Sequence, residues 1–126
     1  MSTIVADNLT GKTAAGNVTI TSEGGSATMQ LQQGLAKAWA FTTDNAITDS
    51  LNTSSSTDND TGHYTITLAS AMGNANFSVN TSVNENNNYI VGNRGRATTS
   101  YDIRIKNTSG TGVDANTGSA VHGDLA

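Results

Sequence analysis

Two arginines, Arg94 and Arg96, have the type and spacing that most directly suggest a binding site. They lie two positions apart among glycines, in a chain of formal net charge −4. Side chains two apart on an extended segment share a face, and paired guanidinium groups bind the carboxylate of an acidic sugar or a phosphate. Salt bridges to Asp or Glu of a neighbouring protomer are the more common use of such a pair. Tyr89 is a further candidate for partner or glycan contact, because its ring could stack on a sugar.

A second cluster, Asp58, Asp60 and Gly62, has the spacing that opens a calcium-binding loop. Carboxylates two positions apart can present oxygens to one hard cation. The glycine comes one position early, however, and the twelfth position is Ala69 rather than a bidentate carboxylate. An ordinary turn is therefore the better interpretation.

The two histidines, His63 and His122, have no thiolate ligand to join them, since the chain contains no Cys. His122 on a terminal strand could meet its symmetry mates on a trimer axis, where three imidazoles would hold an ion or a water. A solvated or hydrogen-bonded histidine is the simpler interpretation. We predict no metal site and no cofactor.

No residue pattern in the sequence indicates a catalytic site. A Ser or Thr nucleophile needs a positioned base, and a glycosidase needs two opposed carboxylates. The 10 Asp and Glu residues are instead scattered among predicted turns. We predict that the protein is not an enzyme and has no catalytic residues.

Charge and hydropathy narrow the range of partners. A net charge of −4 and a pI near 4.7 disfavour nucleic acid, whose affinity depends on Lys and Arg neutralising phosphates. No apolar run approaches the ~20 residues that span a bilayer, and the first residues lack the basic start and apolar centre of a signal peptide. We expect a protein made in the cytoplasm that is not inserted in a membrane.

The elements that must position these residues are predicted to be strands. Apolar and charged residues alternate most clearly over residues 101–106, as in a strand with one buried face. Similar runs predict an antiparallel β-sandwich of about seven strands; they are centred on Trp39, Leu51, Tyr64, Phe77, Tyr89, Tyr101 and Val121. The few aromatic residues are the expected core anchors: Trp39, Phe41, Tyr64, Phe77 and Tyr101.

The chain divides into an N-terminal arm, residues 1–33, and a β domain, residues 34–126. The arm has two short β-like runs, at residues 2–5 and 17–21, and no core of its own, so the second run could add to the sheet of a partner. Residues 27–38 permit a short helix, or alternatively an extended segment. With only 35% hydrophobic residues, the domain is a candidate for burying further surface between identical chains. We therefore expect a homo-oligomer.

Five segments taken in order resemble fibre-like virion structural proteins of tailed bacteriophages, notably marine ones. They are Lys37-Ala38-Trp39, Asp60-Thr61-Gly62 before Tyr64, Ala71-Met72 before Asn76-Phe77, Arg96-Ala97-Thr98-Thr99-Ser100, and Gly123-Asp124. Relatives often carry Pro after the Ala-Met pair and an acidic residue before the Tyr, where this chain has Gly73 and His63. The resemblance covers roughly residues 34–126.

The resemblance implies a virion location, a trimeric or otherwise multimeric assembly, and no catalytic residue. The leading hypothesis is a tail fibre or spike component whose arm binds other virion proteins and whose β domain is displayed, with a host-surface glycan as a candidate partner. A capsid decoration protein, either head fibre or cement, is the alternative. A free carbohydrate-binding module is the second alternative, because planar amides and aromatic rings also suit sugar binding.

Overall fold

The computed structural model describes residues 3–14, 18–84 and 88–126. The chain separates into two compact units, Met1–Leu35 and Ala36–Ala126. The predicted boundary between residues 33 and 34 lies close to this division. None of the helices in the described ranges is long and apolar enough to cross a lipid bilayer.

The first unit contains a small antiparallel hairpin and one helical turn. Strand β1 spans Thr19–Thr21, β2 spans Thr28–Gln30, and the helix α1 spans Leu31–Gly34. The helix predicted over residues 27–38 is therefore reduced to one turn, because its first residues pair with β1. Residues 3–5 of the predicted run at 2–5 form no strand, and residues 2 and 17 lie outside the described residues. No described residue of this unit is buried.

The second unit is all-β, which confirms the predicted fold class. Its strands are β3 (Ala38–Thr43), β4 (Ala46–Leu51), β5 (Thr53–Asp60), β6 (His63–Leu68), β7 (Ser78–Val83), β8 (Tyr89–Ala97), β9 (Ser100–Asn107) and β10 (Thr117–His122). They form two 4-stranded antiparallel sheets, ordered β4-β3-β10-β7 and β5-β6-β9-β8.

The sandwich has one more strand than the seven predicted, because the run around Leu51 is two strands rather than one. Asn52, with φ 53°, turns the chain from β4 in one sheet to β5 in the other. The hairpin before β4 turns at Asp44 and Asn45, whose φ values are 47° and 66°. Asp and Asn tolerate this left-handed conformation better than most residues, so a tight turn forms where no glycine marks it.

The core lies between the two sheets and is built from large residues on one side and small ones on the other. One sheet contributes the fully buried Tyr64, Ile66, Tyr101, Ile103 and Ile105. The other contributes Ala38, Ala40, Thr42, Thr117, Ser119 and Val121. The bulky side chains of β6 and β9 thus fill the space that short side chains on β3 and β10 leave.

This division of sizes reverses the expected orientation of β3. Tyr64, Phe77 and Tyr101 are buried as expected of core anchors. Trp39 and Phe41 are only half-buried and alternate with the buried small residues, so they lie on the outer face. The aromatic side of β3 is therefore not its core side. Ala is apolar enough to face a core, and the tyrosines opposite leave no room for a larger residue.

Antiparallel pairing gives the β domain two distinct ends. We call the end where the chain enters from the first unit the linker end: it comprises Lys37, Asn52, residues 69–77, residues 98–99 and residues 123–126. The amide of Met72 donates to Thr98 O at 2.7 Å, and the amide of Gly73 donates to Asp124 O at 2.8 Å. The opposite, distal end comprises residues 44–45, 61–62, Asn84 and residues 108–116.

Candidate functional site

The candidate site begins with the outer face of the β5-β6-β9-β8 sheet. Strand β9 alternates buried Tyr101, Ile103 and Ile105 with more exposed neighbours, as its sequence predicts. The outward side chains are Asp102, Arg104 and Lys106. Two cations are thereby held at a fixed spacing on a rigid strand next to β8.

An open groove of ≈ 720 Å³ lies over the β8-β9 pair. Its lining, which we call the basic groove, consists of Gly92, Asn93, Arg94, Arg104 and Lys106. Gly92 pairs with Arg104 in the β-ladder, and a Cβ atom added at Gly92 would meet nothing within 4 Å. The missing side chain therefore keeps the groove open above the strands.

The groove continues into an apolar depression of ≈ 270 Å³ on the same face. Ile90, Val91 and Thr108 line it, together with the groove residues Arg104 and Lys106. Ile90 is 64% exposed, a high value for a large apolar residue on a strand. The face thus presents cationic groups beside an apolar wall.

The electrostatics of the basic groove are those of a site for an anion. Arg94, Arg104 and Lys106 are three of the 6 Lys and Arg residues in a chain of net charge −4. Within the described ranges none of the three forms a salt bridge, whereas Asp102 of the same sheet pairs with His63. The Nε of Arg104 is buried and has no hydrogen-bond partner among the described residues.

Asp102, the acidic residue nearest these cations along β9, is held by the neighbouring strand β6. Its Oδ1 accepts a hydrogen bond from the hydroxyl of Thr65 at 2.8 Å, and its Oδ2 lies 3.5 Å from Nε2 of His63. A Cβ atom at Gly95 would lie 2.8 Å from Asp102 Oδ2, so a larger residue at this position of β8 would displace the carboxylate. Asp102 is therefore engaged by Thr65 and His63 of β6 rather than by Arg104.

The two arginines singled out in the sequence are not brought together. The register of β8 against β9 shifts between Asn93 and Arg96, which marks a β-bulge. Arg96 pairs with the buried Tyr101, and its Nη1 donates to Phe77 O at 3.0 Å at the linker end. Arg94 alone lines the groove. The expectation of a shared face assumed a regular strand, and the bulge removes that regularity.

The other predicted contact, Tyr89, is half-buried and packs against the hydrophobic core rather than lining the groove. Arg104 and Lys106 were not proposed as site residues from the sequence. Their alternation with the buried Ile residues was a usable signal, because it placed both cations on one exposed face. What the sequence did not disclose is that β8 brings Arg94 to the same face.

The candidate metal ligands lie apart. Within the part of the chain that the structure describes, no group of three or more His, Cys, Asp or Glu side chains is placed to hold a metal ion. Asp58 and Asp60 end the exposed strand β5, and Asp60 Oδ1 accepts from the amide of Thr61 at 2.8 Å as in an ordinary turn. His63 and His122 lie on strands of different sheets.

At the distal end, Asp114 joins three loops. Its Oδ1 accepts hydrogen bonds from Nδ2 of Asn45 at 3.0 Å and from the amide of Gly62 at 2.7 Å. The bond from Asn45, followed by that from Gly62, lowers the pKa of Asp114 below its ordinary value. This carboxylate is a structural acceptor that fixes the turns around it.

Comparison with protein-family models, curated protein sequences and solved structures finds no match to this chain. The resemblance to fibre-like virion proteins therefore stays a prediction.

Proposed function

We propose that the chain is a non-enzymatic structural protein of a tailed-phage virion, a trimeric tail fibre or spike component. The first unit attaches the protein to the particle, and the β domain is displayed. The single observation that carries this proposal is that the first unit exposes large apolar side chains and buries none of its described residues.

The exposed apolar residues of the first unit are strong candidates for burial against a partner chain. They are Ile4, Val5, Leu9, Ile20, Met29 and Leu35. Ile4 and Val5 are 86% and 92% exposed, and burying a side chain of this kind contributes about 1.5–3 kcal/mol. A segment with this composition and no core gains most of its stability from a neighbour, as an attachment arm does.

The layout of the β domain supports display. The chain enters the domain at Ala36, directly before Lys37 of the linker end. A domain attached through its linker end leaves the distal loops and both outer sheet faces accessible. The basic groove lies on one of these faces.

Four of the segments that carry the resemblance meet at the linker end. A Cβ atom at Gly123 would lie 2.8 Å from Phe77 Cβ and 3.0 Å from Met72 Cε. The amide of Leu68 donates a hydrogen bond to Thr99 O, and the amide of Met72 donates one to Thr98 O. The segments that carry the resemblance therefore build the linker end of the domain. This supports a likeness in architecture rather than in ligand.

A deletion tests the attachment role. A chain lacking residues 1–35 should keep the far-ultraviolet circular dichroism and cooperative unfolding of the β domain, yet fail to join particles during infection by the phage that encodes it. The full chain should co-purify with those particles. Absence of the full chain from purified particles would refute the proposal, and loss of folding in the deletion would refute the division of roles.

Copy number separates a tail component from the alternative, a capsid decoration protein. Quantitative mass spectrometry of purified particles should find the few copies expected of tail fibres. A copy number that matches the head lattice would instead establish decoration, since the same exposed apolar arm could be seated on capsomers.

A further inference from the structure

We propose that the basic groove binds an anionic saccharide, with Arg94, Arg104 and Lys106 holding its carboxylate or phosphate group. This deepens the proposed function and rests on it for the source of the ligand, a polysaccharide of the host surface. Binding itself depends only on the groove. It is therefore measurable on the purified chain.

The first step of the argument is the distribution of charge. Like charges repel, and the repulsion grows when they lie close together beside protein rather than in open water. An acidic chain that gathers half of its Lys and Arg side chains at one groove, without salt-bridge partners among the described residues, lacks internal compensation for them. A bound anion supplies that compensation.

The second step is the unmet hydrogen-bonding capacity of Arg104. Buried donors are nearly always paired in folded proteins, so an unpaired one indicates a missing partner. The Nε of Arg104 is such a donor. A planar guanidinium also matches the geometry of a carboxylate or phosphate, which it binds through two parallel hydrogen bonds. An oxyanion in the groove matches the guanidinium of Arg104, whose Nε has no partner among the described residues.

The third step concerns the rest of the ligand. Sugars present apolar C–H faces as well as hydroxyl groups, and binding sites for them combine apolar walls with a few placed polar groups. The exposed side chain of Ile90 provides a wall next to Lys106, and Thr108 adds a hydroxyl to the lining of the same depression. An inorganic anion would use the cations but not this adjoining surface.

Other occupants fit less well. The groove volume of ≈ 720 Å³ lies in the range of sites for small ligands, about 300–1,000 Å³. A stable contact with a second copy is judged by area instead, and it needs about 800 Å² of surface per partner. Nucleic acid would have to overcome the net charge of −4 with three cations. A saccharide carrying one acidic group per residue matches both the size and the charge.

The test uses the full-length chain and isothermal titration calorimetry with three oligosaccharides of equal length. Oligogalacturonate supplies carboxylates, a phosphorylated malto-oligosaccharide supplies phosphates, and an unmodified malto-oligosaccharide is neutral. We expect binding of at least one anionic oligomer, weakened by added salt, and no binding of the neutral one. The comparison between the first two identifies which oxyanion the groove prefers.

Two variants locate the binding in the groove. Arg104→Gln removes a charged donor and should weaken binding by about tenfold or more. Gly92→Leu fills the groove from a position where an added Cβ atom meets no atom within 4 Å, so binding should be lost while the melting temperature is largely unchanged. Arg96→Gln is the matched control: it removes an Arg of β8, the strand of Gly92 and Arg94, that lies outside the groove, and binding should persist.

Three results would overturn the proposal: no binding of either anionic oligomer, binding that Gly92→Leu and Arg104→Gln leave intact, or equal binding of the neutral oligomer. If the wild-type chain binds no sugar and the two variants dissociate an oligomer in sedimentation analysis, the groove is a contact between copies. Failure of the chain to join particles would refute the virion role and leave the measured binding standing, so the two failures are distinguishable.

Discussion

The hydroxyl of Tyr101 lies 2.8 Å from the hydroxyl of Ser119, and these two residues belong to opposite sheets of the β domain. Tyr64 makes the equivalent connection: its hydroxyl is hydrogen-bonded to Thr117 and lies 3.0 Å from that of Thr42. Each phenol crosses the core and meets a short hydroxyl side chain on the facing sheet. Because a buried polar group must find its partner, these pairs allow only one alignment of the two sheets.

The two tyrosines predict a loss of stability at alkaline pH. Burial raises the pKa of both Tyr64 and Tyr101 above the ordinary value of 10.0. Their contribution to the free energy of unfolding is complete below the pKa of the unfolded chain, and it is lost as pH rises from that value through the raised pKa of the folded protein, because the unfolded chain releases the protons first. Urea unfolding between about pH 8 and pH 11 should show this decline. The double variant Tyr64→Phe with Tyr101→Phe should show less of it; an unchanged decline would contradict the assignment.

The pair Tyr101 and Ser119 predicts an asymmetric mutational effect. In Tyr101→Phe the Ser119 hydroxyl keeps an acceptor in Ala40 O, at 3.4 Å, so the expected loss is about 0.5–1.5 kcal/mol. In Ser119→Ala the phenol is left buried without that partner, and the loss should be about 1–3 kcal/mol. Chemical denaturation of the two variants and of the double variant measures both values. Equal losses in the two single variants would argue against the hydrogen bond.

The orientation of β3 predicts which of its residues tolerate change. Trp39 lies half-buried on the outer face, so Trp39→Ala should reduce the free energy of unfolding by clearly less than the 3–5 kcal/mol roughly expected for a core Trp. Ala40 is buried opposite the tyrosines, and Ala40→Leu should cost about 1–3 kcal/mol by overpacking. Urea titrations of the two variants provide the test. A Trp39→Ala loss in the core range would restore Trp39 as an anchor.

Asp114 predicts an acid-sensitive distal end. Its hydrogen bonds with Asn45 and then Gly62 lower its pKa below 3.8, so its stabilising contribution is present above the ordinary pKa of a carboxyl and is lost as pH falls through the lowered value. Asp114→Ala should speed hydrogen exchange at the Gly62 amide at neutral pH. Asp60→Ala is the control, since Asp60 accepts a hydrogen bond from its own neighbour, Thr61. Equal exchange rates in Asp114→Ala and in the wild-type chain would refute the role of Asp114.

Much of the fold follows from alternation where only one side of a strand is apolar. Strand β9 is the clearest case, because charged residues occupy its outer side. Strand β3 could not be oriented in this way, since Ala38 and Trp39 are both apolar and only the facing tyrosines decide which is buried. Strands β4 and β5 could not be separated, because the chain turns between them at Asn52, and before β4 at Asp44 and Asn45, without a glycine.

The candidate site was predictable only in part. Arg94 was recognisable as a cation in a glycine-rich segment, yet its neighbours in space come from β9. The pairing of β8 with β9 is a long-range contact between two strands. The bulge after Asn93 is a local departure from the regular alternation of a strand. Neither is encoded by spacing along the chain. A site assembled from two strands therefore needs the register before its residues can be named.

The entry of the chain at the linker end has a mechanical consequence. Ala36 leads directly into β3, which runs from the linker end to the distal end between β4 and β10. A pull on Ala36 that is resisted by a ligand held toward the distal end acts along β3, at right angles to its interstrand hydrogen bonds. Those bonds on both sides of β3 are then loaded together in shear, instead of being unzipped one after another, and the domain resists tension best along this direction.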